Sequence, residues 1–230
     1  MISQSSMAID PADPRTMQYT EINRVQIAVL AKAPIPGLAK TRLIPALGAR
    51  GSARLQRRLT RMAIRTAIEA NLGPVTLWCA PDARHRFFRA LHRTTGVACR
   101  DQASGDLGER MHAAFQLHCA ASPLLLIGTD CPSLSPSHLR DAAQALLAEA
   151  DAVIQPAEDG GYVLVGLRTP HPDIFHSIRW STPSVMADTR DRVRTAGLAM
   201  KELEVLWDLD NPEDLRRLSA SKAFALGLLS

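Results

Sequence analysis

The feature that most constrains the fold of this chain is an apolar run, Leu124-Leu125-Leu126-Ile127, that stops abruptly at Gly128-Thr129-Asp130-Cys131-Pro132. Large aliphatic residues bounded by breakers predict a strand buried on both faces. Pro132 prevents its continuation, and Ser135-Pro136 supply an N-cap and a first helical residue for the element that follows. Asp130 therefore falls at the carboxyl edge of a sheet, the edge where open α/β folds place their ligands. A carboxylate there can hold a divalent cation, and through it a phosphate; the alternative is that Asp130 only caps a turn.

The same rhythm recurs along the chain. Strands are predicted over residues 25–31, 75–79, 97–100, 124–127, 152–155, 162–167 and 202–206. Helices are predicted over 50–71, 82–93, 106–119, 136–149, 184–196 and from Pro212. Strand-helix alternation predicts an α/β fold, a single αβα sandwich of Rossmann-like type with a mainly parallel sheet. The closely spaced strands after residue 152 add an antiparallel element and make the sheet mixed. Residues 1–23 are polar and carry Pro11 and Pro14, so a flexible lead-in is expected before a domain spanning 24–230.

A hydrophobic fraction of 46% and a charged fraction of 22% suit a globular domain with a substantial core. No apolar stretch reaches the roughly 18 residues that span a bilayer. The four cysteines lack zinc-like pairing, so reduced thiols in a cytoplasmic protein are expected. The net charge of +4 comes largely from Arg50, Arg54, Arg57, Arg58, Arg61 and Arg65. Leu55, Leu59, Met62 and Thr66 recur at helical spacing between them, which places the arginines on a solvated face. With few aromatic residues to stack bases, no nucleic-acid partner is expected, and no membrane partner either.

Four clusters carry candidate chemistry. Directly after the first strand, Lys32-Ala33-Pro34-Ile35-Pro36-Gly37-Leu38-Ala39-Lys40-Thr41-Arg42 gathers cations and a hydroxyl in a shaped loop, suited to wrap a di- or triphosphate. It lacks the Gly-Lys-Ser/Thr ending of a Walker loop. Gly105-Asp106-Leu107-Gly108-Glu109 has capping-box spacing; Gly108, costly inside a helix, predicts a nucleotide lying against a bare helix face. Glu158-Asp159-Gly160-Gly161 reads as a tight turn, or as a source of a general base. Asp208 and Asp210 precede the Asn211-Pro212 helix entry and are candidate metal ligands facing Asp130. The seven histidines show no paired spacing, and no Gly-x-Ser-x-Gly elbow occurs.

As an ordered set, Lys32-Ala-Pro-x-Pro-Gly-x-x-Lys40-Thr-Arg-Leu, Gly105-Asp-Leu-Gly-Glu-Arg110, Gly128-Thr-Asp-Cys-Pro132, Glu158-Asp-Gly-Gly-Tyr162 and Trp207-Asp-Leu-Asp-x-Pro212 resemble the small bacterial GT-A-fold family of arsenosugar-biosynthesis-type glycosyltransferases. That family lies in the nucleotide-diphospho-sugar transferase superfamily. The first and third motifs are also similar to 2-phospholactate and molybdenum-cofactor guanylyltransferases. The resemblance implies a GT-A-like fold and a metal-dependent glycosyltransferase using a nucleotide-diphospho-sugar donor and a small-molecule acceptor. Nucleotidyl transfer from an NTP to a phosphorylated small molecule, with release of pyrophosphate, and a non-catalytic nucleotide-binding module are the alternatives. The implied site comprises Lys32, Lys40, Thr41, Arg42, Gly105, Asp106 and Gly108 for nucleotide and phosphate, Asp130, Asp208 and Asp210 for Mg2+ or Mn2+, and Glu158 and Asp159 for catalysis. Two departures stand out. Asp130 is followed by Cys131-Pro132 where GT-A enzymes present Asp-x-Asp, and Pro34, Pro36 and Gly37 replace a glycine-rich first loop.

Overall fold

A computed structural model describes residues 25–120 and 122–220, so the lead-in expected over 1–23 lies outside the described residues. The described chain forms a seven-stranded sheet in the order β3-β2-β1-β4-β6-β5-β7. The strands are β1 (Gln26–Lys32), β2 (Val75–Ala80), β3 (Ala98–Asp101), β4 (Leu124–Ile127), β5 (Ala152–Pro156), β6 (Tyr162–Leu167) and β7 (Met200–Glu202). β6 lies between β4 and β5 and runs antiparallel to both, while the other pairings are parallel. The expected mixed, mainly parallel sheet is present, with its carboxyl edge at the ends of β1, β4 and β5.

Helices α1 (Ile44–Ala70), α2 (Arg86–Thr95) and α4 (Pro136–Ala148) cover one face, where Ile64, Phe88 and Leu139 pack against Ile27, Leu77 and Leu125. Helices α3 (Leu107–His118) and α5 (Val185–Thr195) cover the other through Phe115, Met186 and Val193. α1 begins earlier than its arginine pattern predicts, and a non-helical Gly48 (φ 68°) kinks it after the first turn. A positive φ of that kind is available to glycine at little cost. The last strand is shorter than expected. β7 ends at Glu202, and Leu206 contributes only an isolated bridge to Ala157.

A third, smaller core anchors the region that matters most for function. Leu209 is fully buried with Leu43, Leu55, Leu59, Leu215 and Leu218, joining α1 to α6 (Pro212–Ala220). Alternate residues of an extended segment face opposite ways, so burying Leu209 turns Asp208 and Asp210 away from that apolar cluster.

Candidate active site

The cleft is built by backbone ties at the carboxyl edge. The Leu209 amide donates to the Asp130 carbonyl at 2.8 Å, and the Glu158 amide donates to the Leu206 carbonyl at 3.0 Å. Three acidic segments distant in sequence are thereby stitched side by side. Beneath Asp130, buried Thr129 donates to its Oδ1 at 3.3 Å and accepts from Gln56 Nε2 at 3.0 Å. Gln56 and Thr129 were not singled out from the sequence. The available signal was a glutamine among leucines on the buried face of α1.

Lys40 is the hub. Its backbone is left-handed (φ 48°), an uncommon state for a residue with a Cβ. That turn folds the side chain inward until only 3% of it is exposed. Its ammonium pairs with Asp130 Oδ1 at 3.0 Å, approaches Asp210 Oδ1 at 3.8 Å, and donates to the Leu209 carbonyl. Arg42, inside the single helical turn Thr41–Leu43 that follows Lys40, binds the other oxygen of Asp210 while remaining mostly exposed. Lys32, the last residue of β1, and Thr41, next to Lys40, are exposed. The cationic loop is thus in place beside the carboxylates, and in this state two of its three cations are held by them.

Asp208 is the most perturbed carboxyl. Burial, and the charges of Asp159 and Asp210 nearby, push its pKa up to about 6 against the partial relief of Lys40. Asp159 and Asp208 therefore lie within electrostatic reach, as the expected cleft requires. Asp159 Oδ1 accepts from the Gly161 amide at 2.9 Å, which shapes the turn and leaves the carboxylate exposed. Gly160 (φ 88°) has no room for a side chain, since a Cβ would lie 2.2 Å from the Pro183 carbonyl.

Other expectations change. Glu158 turns outward into a two-pronged pair with Arg217, at 2.6 and 3.0 Å, and that guanidinium holds its carboxyl below the usual range. Arg217 in turn stacks over Trp207 at 4.8 Å. Gly108 is bare for a different reason than a nucleotide: a Cβ would come within 2.8 Å of both the Phe175 carbonyl and the Trp180 ring. Asp106 and Glu109 form the reciprocal capping box at the start of α3, and Gly105 (φ 99°) is crowded by the Glu109 carboxylate. Gly105, Asp106 and Gly108 thus each serve the local structure of the α3 start and its packing. The three acids gather around Lys40: Asp130 and Asp210 both pair with its ammonium, Asp210 is also bound by Arg42, and Asp208 lies within their electrostatic reach. Among the described residues, no three His, Cys, Asp or Glu side chains are arranged to hold a metal. The donor chemistry nevertheless suits a hard divalent cation: Asp130 is 48% exposed, and the crowding that raises Asp208 is what such a cation relieves. None of the four cysteines forms a disulfide, and no described helix is long and apolar enough to cross a membrane.

The model of a family described as uncharacterized proteins conserved in bacteria (DUF2064) matches residues 63–182. The chain belongs to this family. The matched region holds Asp130, Glu158 and Asp159, while Lys40, Asp208 and Asp210 lie outside it. No curated protein matches the chain. A solved structure from Desulfovibrio desulfuricans G20, assigned to the nucleotide-diphospho-sugar transferases, is 27% identical with a TM-score of 0.79, covering 90% of this chain and 94% of that one. A CMP:2-keto-3-deoxy-manno-octonic acid synthetase complexed with CTP is similar at 14% identity and a TM-score of 0.55, over 88% and 99% of the two chains. A Mycobacterium tuberculosis H37Rv protein complexed with manganese is similar at 19% and 0.51, over 86% and 99%. The last two likenesses establish the fold, a sheet and helix arrangement shared by nucleotidyltransferases and GT-A-like proteins.

Proposed function

We propose that this protein is a nucleotide-dependent transferase acting in the cleft around Lys40, with a nucleotide-diphospho-sugar as donor and a small-molecule hydroxyl as acceptor. The observation that carries the reading is the gathering of Lys40, Asp130 and Asp210, from three distant segments, at the carboxyl edge of the parallel strands of a mixed sheet. The likeness to the Desulfovibrio protein and the motif resemblance to arsenosugar-biosynthesis-type glycosyltransferases support sugar transfer.

In this reading Lys32, Arg42 and the Thr41 hydroxyl receive the diphosphate. Asp130 and Asp208 hold Mg2+ or Mn2+, with Asp210 beside them. The cation, when bound, neutralises the charge that builds on the departing diphosphate. Asp159, exposed and unpaired by any cation among the described residues, takes the proton of the acceptor hydroxyl. The acceptor oxygen bonds to the anomeric carbon as that carbon's bond to the diphosphate oxygen breaks, and nucleoside diphosphate leaves. Fixed cations aimed at the leaving group supply the largest share of such catalysis.

The cation content of the first loop favours a second reading, in which an acceptor phosphate attacks the α-phosphorus of an NTP and pyrophosphate leaves. Incubation with nucleotide-sugars and NTPs, each with Mg2+ or Mn2+, separates the readings. Free nucleoside diphosphate supports the first, pyrophosphate the second, and absence of both leaves a binding module. Arg42→Ala should weaken nucleotide binding without loss of fold, its side chain being 68% exposed. Unchanged nucleotide-dependent thermal stabilisation in that variant would remove the loop from the site.

A further inference from the structure

We propose that the outer edge of β3, two strands away from β1 in the sheet, is a docking groove for an extended acidic polypeptide segment. β3 ends the sheet and pairs only with β2 among the described residues. An unpaired strand edge is a template for one more strand. Two cavities flank it. One, of about 560 Å3, is lined by Trp78, Arg84, Arg100 and Asp101; the other, of about 320 Å3, by Arg89, His92 and Arg93. Both are also lined by Ala83 and Cys99, so they form one continuous groove along α2 and β3.

The charge of the groove selects its occupant. Arg89, Arg93 and Arg100 make no ion pair among the described residues, and Arg84 reaches only Asp82, at 3.8 Å. Asp101, the one carboxylate in the lining, already accepts the Ala83 amide at 2.6 Å. Strand alternation puts Arg100 on the Trp78 face of the sheet and Cys99 on the α2 face, where Arg89 and Arg93 stand. Cations therefore flank the edge on both sides. An incoming strand also points its residues alternately to both sides, so successive acidic residues would meet both sets. Guanidinium groups bind carboxylates through two parallel hydrogen bonds. Trp78, 6% exposed, contributes an edge of its indole to the wall of the groove. A second copy of β3 is disfavoured because its arginines would meet their own counterparts.

The test uses the full chain and a fluorescein-labelled eight-residue peptide in which adjacent Glu-Asp pairs alternate with Val-Thr pairs, so that acids project from both faces of the strand. Saturable anisotropy is expected, together with slowed amide exchange in β3. Binding should weaken at least about tenfold in R89E/R100E, and as much when a central Pro stops the peptide from pairing. The circular dichroism melt and nucleotide-dependent thermal shift of the variant should match wild type, which separates failure here from failure of the transferase reading. Any of four results overturns the proposal: no saturable binding; undiminished binding to the variant or by the Pro peptide; full competition by inorganic triphosphate without protection of β3; or self-association of the chain through that edge.

Discussion

Replacing Lys40 with Met tests the geometry of the cleft most directly. Removing one partner of a buried ion pair costs about 3–5 kcal/mol, because the charge left behind stays out of water. Here the charges left behind are Asp130 and Asp210, whose side chains are 48% and 38% exposed. Water reaches both, and the electrostatic loss shrinks to about 1 kcal/mol. The lost hydrogen bond to the Leu209 carbonyl adds about 1 kcal/mol. Methionine keeps an unbranched apolar stem, so little packing is lost. The expected cost is about 2 kcal/mol, or about 4–8 °C in melting temperature for a chain of this size. Urea denaturation followed by circular dichroism measures it. The same variant leaves Asp130 and Asp210 without their common cation, so Mg2+ or Mn2+ should raise its melting temperature more than that of wild type. A loss below about 0.5 kcal/mol, the range of an ordinary surface substitution, would refute Lys40 as the tie between the two acidic segments. An equal response to divalent cations would refute the charge balance.

Three further outcomes follow from particular contacts. Asp159→Asn should reduce turnover more than nucleotide affinity, whereas Glu158→Gln, losing only an exposed pair with Arg217, should leave turnover near wild type and cost at most about 1 kcal/mol; equal kinetic losses would return Glu158 to the site. Asp208 titrates near 6 when folded against 3.8 as its ordinary value, so the folded state holds the extra proton. Its contribution to stability is full below pH 4 and lost as pH rises to about 6, while divalent-cation affinity rises over the same interval. Asp208→Asn should flatten that part of the stability profile, and an unchanged slope would contradict the crowding. Gly108→Ala should cost about 1–2 kcal/mol, because overpacking against Trp180 and the Phe175 carbonyl outweighs a helix-propensity gain of about 1 kcal/mol. A shifted tryptophan emission should accompany the loss, and a neutral substitution would show that Trp180 can step aside.

What could be read from the sequence divides along a physical line. β4 and its Asp130 were legible because an apolar run and a proline act locally, and the run matches its strand residue for residue. Capping chemistry was legible for the same reason: Asp106 with Glu109, and Asn211 with Asp214, cap their helices as their spacing predicts. Direction was not legible for side chains whose partners lie far away in the chain. Glu158 and Asp159 are neighbours of one chemistry, yet Arg217 claims one and leaves the other at the cleft. Gly108 signalled a close approach correctly, but the group approaching is an indole more than seventy residues later. The composition of its loop points Lys40 toward phosphate, while its left-handed backbone carries the ammonium down between two carboxylates. Its inward turn changes the order of events expected in the cleft. A phosphate that takes Arg42 or Lys40 must release Asp210 or Asp130, and a cation that takes Asp130 must release Lys40. Anion and cation each free the other's ligands, so their affinities should be reciprocally coupled even before they touch one another.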